Sequence, residues 1–387
     1  MYITSADQLN DFCSRLHSAK VLAVDTEFVR ERTYFHRIGL IQVAGNNECA
    51  AIDPIQLDDL TPLLELLKDP NKTKVFHAAR QDLEILVRLC GQVIPPVFDT
   101  QIAAALVGWG SQISFAKLIQ KALGKRIHKT ETYTDWCRRP LSQNQIQYAI
   151  DDVRYLMPAY ESLLEKLKEL NRSDWMKGEV ANWEDSATFA LPDPQTRYMK
   201  IKSLRSLNPR NMAVLRELAA WREKVAVSRD CLAKSIVRDE TLLEIARKMP
   251  TDVKDLSSLR GFYHKEIGKS GKAIIESVKR GNEVPENELP KLPESDGHST
   301  TRGIEELLSA FVQIRSEELK IEPSVLADRK RIHSFATHFE QSINMDDHFL
   351  LQGWRKECIG KPMLSLLNGE VGLKINPSGQ VTLIPIK

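Results

Sequence analysis

The chain has 387 residues, 42% of them hydrophobic and 27% charged, with a formal net charge of +2; this is the composition of a soluble globular protein too long for one ordinary core, so two or three domains are expected. Its six cysteines stand singly with no C-x-x-C pair, which excludes a zinc-ribbon site and a disulfide framework and points to a reducing compartment. With no basic-then-apolar leader at the N-terminus and no run of about 18 apolar residues, no membrane association is expected and the cytoplasm is the expected location.

The first strong element is "VLAVDTEFV" (Val21 to Val29), apolar enough for a buried strand yet carrying Asp25 and Glu27. Side chains two apart on a strand leave one face, here about 7 Å apart. Either the pair caps a neighbouring element at a strand end, or something positively charged sits between the two acids. Phe28 follows at once and reads as a core residue or as a ligand contact beside the acids. Further strands are expected at "IGLIQVA", "CAAID" and "KVFHA", and helices at "LDDLTPLLELLK", "RQDLEILVRLC", "DTQIAAALV" and "FAKLIQKAL". Such mixing predicts an α/β domain with a central sheet.

Asp82 falls near the start of a helix that follows a strand, a place where a lone acid is favoured by the helix dipole. His77, five residues earlier, reads as a satisfied histidine packed beneath a site or as a phosphate contact. "DWCRRP" offers Trp136 for packing or for ligand contact, and Arg138 and Arg139 as guanidinium groups able to bind phosphates. Ser142 and Gln145 form a capping-box start, and Ile146, Ala149, Ile150 and Val153 supply the apolar stripe of a long helix. On it Tyr148 and Asp152 share a face, while Asp151 is turned by about 100°. Four carboxylates (Asp25, Glu27, Asp82, Asp152) converging over one sheet cannot all stay ionised without cations; oxygen-only ligation suits two hard divalent ions, Mg²⁺ or Mn²⁺.

Pro192 and Pro194 interrupt the pattern next, and charge then changes sharply. Lys plus Arg against Asp plus Glu is 22 to 26 over residues 1–194, 20 to 10 over 195–281, and 12 to 16 over 282–387, giving nets of −4, +10 and −4. The middle segment is a candidate polyanion-binding module, the alternative being a solvated lysine-rich surface. Its candidate phosphate contacts are Lys200, Lys202, Arg205 and Arg210 before the first helix and Lys265, Lys269 and Lys272 around Gly268 and Gly271. A proline-rich, acidic stretch at 282–301 reads as a linker, a second helical piece follows, and the last residues suggest a hairpin turning at Asn376 to Gly379.

"DTE" at 25–27, Asp82 in "HAARQDLEIL" and the Y-x-x-x-D of Tyr148 and Asp152 resemble, in order, the three motifs of the DEDD superfamily of 3′-to-5′ exonucleases. The tyrosine marks the DEDDy branch; Gln147 stands where the other branch has histidine. "VRERTYFHRIGLIQ", "FDTQIA" and "TDWCRRPLS" are similar to the ribonuclease D family, and "LRELAAWREKVAVSRD" with the helices after it is similar to the HRDC domain, of which 302–369 resembles a divergent second copy. The resemblance implies a ribonuclease H-like α/β exonuclease domain with a mixed central sheet (1–190), a basic all-α HRDC domain (200–282), a linker (283–301), a second small all-α HRDC-like domain (302–369) and a tail (370–387). It also implies two-metal hydrolysis of RNA from the 3′ end, releasing nucleoside 5′-monophosphates, with precursor tRNA and other small structured RNAs as substrates and a monomeric protein. Asp25 would bridge the ions, Glu27 and Asp152 would lie on the nucleophile side and Asp82 towards the leaving group; Tyr148, a poor base with an ordinary pKa of about 10, would orient the attacking water. A DNA-directed exonuclease and a non-catalytic RNA-binding scaffold are the alternatives.

Overall fold

In the computed structural model, which describes residues 1–127, 134–257, 264–291, 302–378 and 381–386, a six-stranded sheet organises the first part of the chain. Its strands are β1 (Tyr2–Ile3), β2 (Val21–Val29), β3 (Arg37–Gly45), β4 (Glu48–Ile52), β5 (Thr73–Phe76) and β6 (Val97–Asp99), in the order β1-β4-β3-β2-β5-β6. β3 and β4 pair antiparallel, whereas β1 with β4, β2 with β5 and β5 with β6 are parallel, so the sheet is mixed. Helices α1 (Ala6–Arg15), α2 (Thr61–Lys68) and α3 (Arg80–Cys90) share a core with Leu22 and Val24 of β2. On the other face α4 (Thr100–Leu106), α5 (Phe115–Leu123), α6 (Gln143–Glu169) and α7 (Ser173–Val180) share a second core with Ala23. Because strand residues alternate faces, Asp25 and Glu27 follow Ala23 toward the α6 side.

The described chain divides into two compact units. The second unit comprises Phe28–Arg37 and Ala190–Gly297. It is built on α8 (Pro209–Ser228), α9 (Ala233–Ile236), α10 (Asp239–Lys248), α11 (Val253–Leu256) and α12 (His264–Asn282). Asn208 caps α8 by accepting the Asn211 N–H at 2.8 Å, with Pro209 at the first helical position. A side chain at Gly281 would place its first carbon 2.4 Å from the Val214 Cα, so glycine is what lets α12 press against α8.

The first unit regains the chain after residue 297, with α13 (Arg302–Leu319), α14 (Pro323–Leu326), α15 (Arg329–Glu340), α16 (Gly353–Arg355) and α17 (Lys361–Leu367) around their own core. These helices are fastened to the layer that holds α4 and α7. The Trp354 ring stacks on Trp175 at 4.3 Å and donates its Nε1–H to Glu179 at 3.0 Å, while Arg355 also pairs with Glu179. Buried Arg172 donates to the carbonyls of Leu106 and Leu319 at 2.6 and 2.7 Å. Strands β7 (Val371–Ile375) and β8 (Val381–Pro385) then pair antiparallel; of the expected turn between them, Gly379 lies outside the described residues, as does most of the expected linker, from 292 to 301. Among the described residues no helix is long and apolar enough to cross a membrane.

Candidate active site

The acids are delivered by three elements. β2 runs apolar through Val24 and then presents Asp25 and Glu27, both half-buried. α6 begins with the expected capping box, in which the Gln145 N–H donates to Ser142 Oγ at 3.2 Å and the Ser142 N–H to Gln145 Oε1 at 2.8 Å. Two turns on, Asp152 meets the strand: Asp25, Glu27 and Asp152 each offer a carboxylate oxygen, and these atoms lie within 4.8 Å of one another. Like charges that close are tolerated when a cation lies among them, and an all-oxygen donor set fits a hard divalent ion.

Asp82 stands beside this triad rather than in it. It occupies the first turn of α3 but is only 6% exposed, so it is not a solvated dipole charge. Burial and then the neighbouring charge of Asp25 push its carboxyl well above the ordinary carboxylate range, although the Thr26 hydroxyl donates to it at 2.5 Å. Tyr148 is half-buried and hydrogen-bonded to Asp152. Burial, followed by the charges of Asp152, Glu27 and Asp25, raises its phenol above its ordinary value, so it stays protonated at neutral pH. Of the five side chains singled out in the sequence, three carboxylates thus meet, with Asp82 neighbouring Asp25 and Tyr148 bonded to Asp152.

Other expected contacts have different surroundings. His77 has both ring nitrogens engaged, Nδ1 with Thr100 Oγ1 at 3.0 Å and Nε2 with the Ile113 carbonyl at 3.1 Å, as a packed histidine does. Trp136 is 4% exposed, in a core with Leu40, Ala149 and Ile150, its ring 6.1 Å from that of Tyr148. Gly39 admits that packing, since a side chain there would meet the Trp136 carbonyl oxygen at 2.4 Å. Arg139 corrects the expectation of a phosphate contact: its guanidinium grips Asp53 at 2.6 and 2.7 Å and the Gly39 carbonyl at 2.6 Å. Arg138 is exposed, and Phe28 is half-buried edge-on to His36 at 4.6 Å.

Lys200, Lys202, Arg205, Lys269 and Lys272 are exposed on the second unit, whereas Arg210 donates to the Asn282 carbonyl at 2.8 Å and to Glu286 at 2.6 Å, a structural tie. The side chain of Lys265 lies outside the described residues. Sequence reasoning missed Thr26 and Asp99. The Asp99 carboxylate, 2% exposed, accepts the N–H groups of Ala78, Ala79 and Gln101 at 3.1, 2.9 and 2.6 Å and so caps α3 from a neighbouring strand. The signal for it was local: an aspartate directly before "TQIAAAL" is an N-cap.

Residues 1–168 match the family model described as 3′-5′ exonuclease, and residues 211–278 that of the HRDC domain. The chain is thus of the class of 3′-to-5′ exonucleases that carry an HRDC domain. A ribonuclease D from Gluconacetobacter diazotrophicus is 37% identical over 377 residues, 97% of this chain and 94% of that one. Another, from Granulibacter bethesdensis, is 35% identical over 99% of this chain and 96% of its own. The crystal structure of Escherichia coli RNase D, described as an exoribonuclease involved in structured RNA processing, matches with a TM-score of 0.83 at 31% identity, covering 95% of this chain and 98% of that one. The chain belongs to the ribonuclease D family of 3′-to-5′ exoribonucleases.

Proposed function

We propose that this exoribonuclease trims the 3′ ends of small structured RNAs, precursor tRNA among them, releasing nucleoside 5′-monophosphates, and that Asp25, Glu27, Asp82 and Asp152 hold two divalent cations, Mg²⁺ or Mn²⁺, for the reaction. The observation that carries this reading is the meeting of three carboxylate oxygens within 4.8 Å, with the raised carboxyl of Asp82 next to Asp25. The chemistry such cations supply when bound is that of Lewis acids: water acidic enough to attack at neutral pH, and charge neutralisation on the phosphate and the departing 3′ oxygen. Asp25 would be the ligand shared by the two cations, because it neighbours both the Glu27–Asp152 side and Asp82. Tyr148, held protonated, serves as a hydrogen-bonding guide for the attacking water and not as its base.

The exposed lysines and arginine of the second unit (Lys200, Lys202, Arg205, Lys269, Lys272) would hold RNA by its phosphates, with little selection among bases. The segment 302–369 is our candidate for a second HRDC-like copy. Its support is an opening order of a long, a short and a medium helix, shared by α13 to α15 and α8 to α10. The boundaries near 190, 282, 301 and 369 rest on the same reading.

The test uses matched RNA and DNA oligonucleotides labelled at the 5′ end, with chelator and with each cation restored. The expected result is a ladder that shortens from the 3′ end only with added cation, and faster on RNA. Internal cuts, or cleavage persisting in chelator, would remove the proposal; faster trimming of DNA would favour the DNA-directed alternative.

A further inference from the structure

The ten residues Phe28 to Arg37, which run from the last two residues of β2 to the first of β3, belong to the second unit, although they begin one peptide bond beyond Glu27. Their contacts are specific. The Tyr34 hydroxyl donates to Glu223 Oε1 at 2.6 Å, and Glu223, 3% exposed on α8, is also paired with Arg197 Nε at 2.9 Å. The Phe35 N–H donates to Asp230 Oδ1 at 3.0 Å, and the Tyr34 ring packs on the core formed by the helices of that unit. At the foot of the strap the Phe28 and His36 rings pack T-shaped with their centroids 4.6 Å apart, so the two ends of the strap are stapled together. Inside, the Thr33 hydroxyl donates to the Phe35 carbonyl at 2.6 Å.

A surface loop has no need of a buried carboxylate. Ordering each residue costs backbone freedom, and bonds to charged acceptors are among the stronger ways to offset that cost. Here two such acceptors, Glu223 and Asp230, fix a segment continuous with the strand that carries Asp25 and Glu27. We propose that Tyr34, Glu223 and Asp230 are positioning residues for the exonuclease reaction: by pinning the strap they fix the backbone at Phe28 and so the aim of Glu27. The helical unit then has a task in the chemical step besides holding RNA. This rests on the reading of Asp25 and Glu27 as cation-holding residues.

The experiment compares full-length Tyr34→Phe, Asp230→Ala and Asp230→Asn with the parent chain on a short 5′-labelled RNA, measuring kcat and KM separately alongside the melting temperature. Tyr34→Phe keeps the ring and loses only the hydroxyl. We expect kcat to fall about tenfold, less than the hundredfold that an ångström of misplacement costs, with KM held within about twofold. Asp230→Ala should fall similarly and Asp230→Asn, whose amide oxygen still accepts from Phe35, should recover most of the rate. A lowered melting temperature with kcat unchanged, or a rise in KM that accounts for the whole loss, overturns the proposal. Asp152→Asn in the same assay separates the two readings: if it is inactive while Tyr34→Phe turns over normally, only the strap inference fails, and if it remains active the reading of the acid cluster fails.

Discussion

Asp53 and Asp82 are both buried acids of the first unit, 0% and 6% exposed, and their carboxyls are shifted in opposite directions. Burial pushes Asp53 up, but Arg139, Tyr2, Gln56 and the Ile55 N–H together outweigh it and hold the group at about 2. Asp82 has burial and the charge of Asp25 raising it, against the single hydroxyl of Thr26 and a backbone N–H. Burial alone does not decide the direction: an acid satisfied by a guanidinium and a phenol is a fastening, whereas an acid driven toward its neutral form by burial and a neighbouring acid is, on the proposed reading, the seat for a cation.

The largest effect that tests this contrast is on activity. Asp82→Asn should lower kcat about a thousandfold, the scale of losing one preorganised charge-stabilising group, while leaving the melting temperature equal or higher. Near-normal turnover in that variant would dissolve the distinction. Asp53→Asn should do the reverse: it leaves the half-buried Arg139 guanidinium without its charge partner and should cost about 3 kcal/mol in denaturant unfolding, with kcat of the folded enzyme within about tenfold of the parent. A loss below about 1 kcal/mol would show that the pair is not a fastening.

Cation binding should come next in size. Mg²⁺ or Mn²⁺ at about 100 times its dissociation constant should add about 2.7 kcal/mol to stability, readable as a rise in melting temperature that Asp82→Asn diminishes and Asp53→Asn leaves intact. An unchanged melting temperature at saturating cation would count against the seat. The pH dependence distinguishes the same two acids by sign. Asp53 has a folded pKa of about 2 against an ordinary 3.8, so its contribution, about 2 kcal/mol, is fully present above 3.8 and is lost as pH falls through 2. Asp82 is raised, so in the absence of cation it costs stability above its folded pKa and this cost is relieved as pH drops below it. Unfolding curves of parent and Asp53→Asn proteins should therefore approach each other between about pH 4 and pH 2 and converge only below about pH 2, and parallel curves would contradict the assignment. The smallest effect lies on the second unit. Replacing exposed Lys269 or Lys272 by alanine should reduce the salt slope of RNA binding by about 1, the share of a single lysine that neutralises one phosphate, and leave kcat on a short oligonucleotide unchanged.

What the amino-acid sequence determined unaided is whatever depends on period and near neighbours. The alternation of β2 places Asp25 and Glu27 on one face, the four-residue step in α6 aligns Tyr148 with Asp152, and the Ser142–Gln145 box starts that helix, because each is a property of a few consecutive residues. The tertiary structure alone decided which charges meet. Arg139, expected at a phosphate, closes on Asp53 across 86 positions, and Tyr34 reaches Glu223 across 189, in each case because packing brings together groups that no local pattern relates. A carboxylate carries the same charge wherever it is written in the chain; only the folded surroundings determine whether it finds a guanidinium, a hydroxyl or another carboxylate, and that choice separates the fastening from the seat.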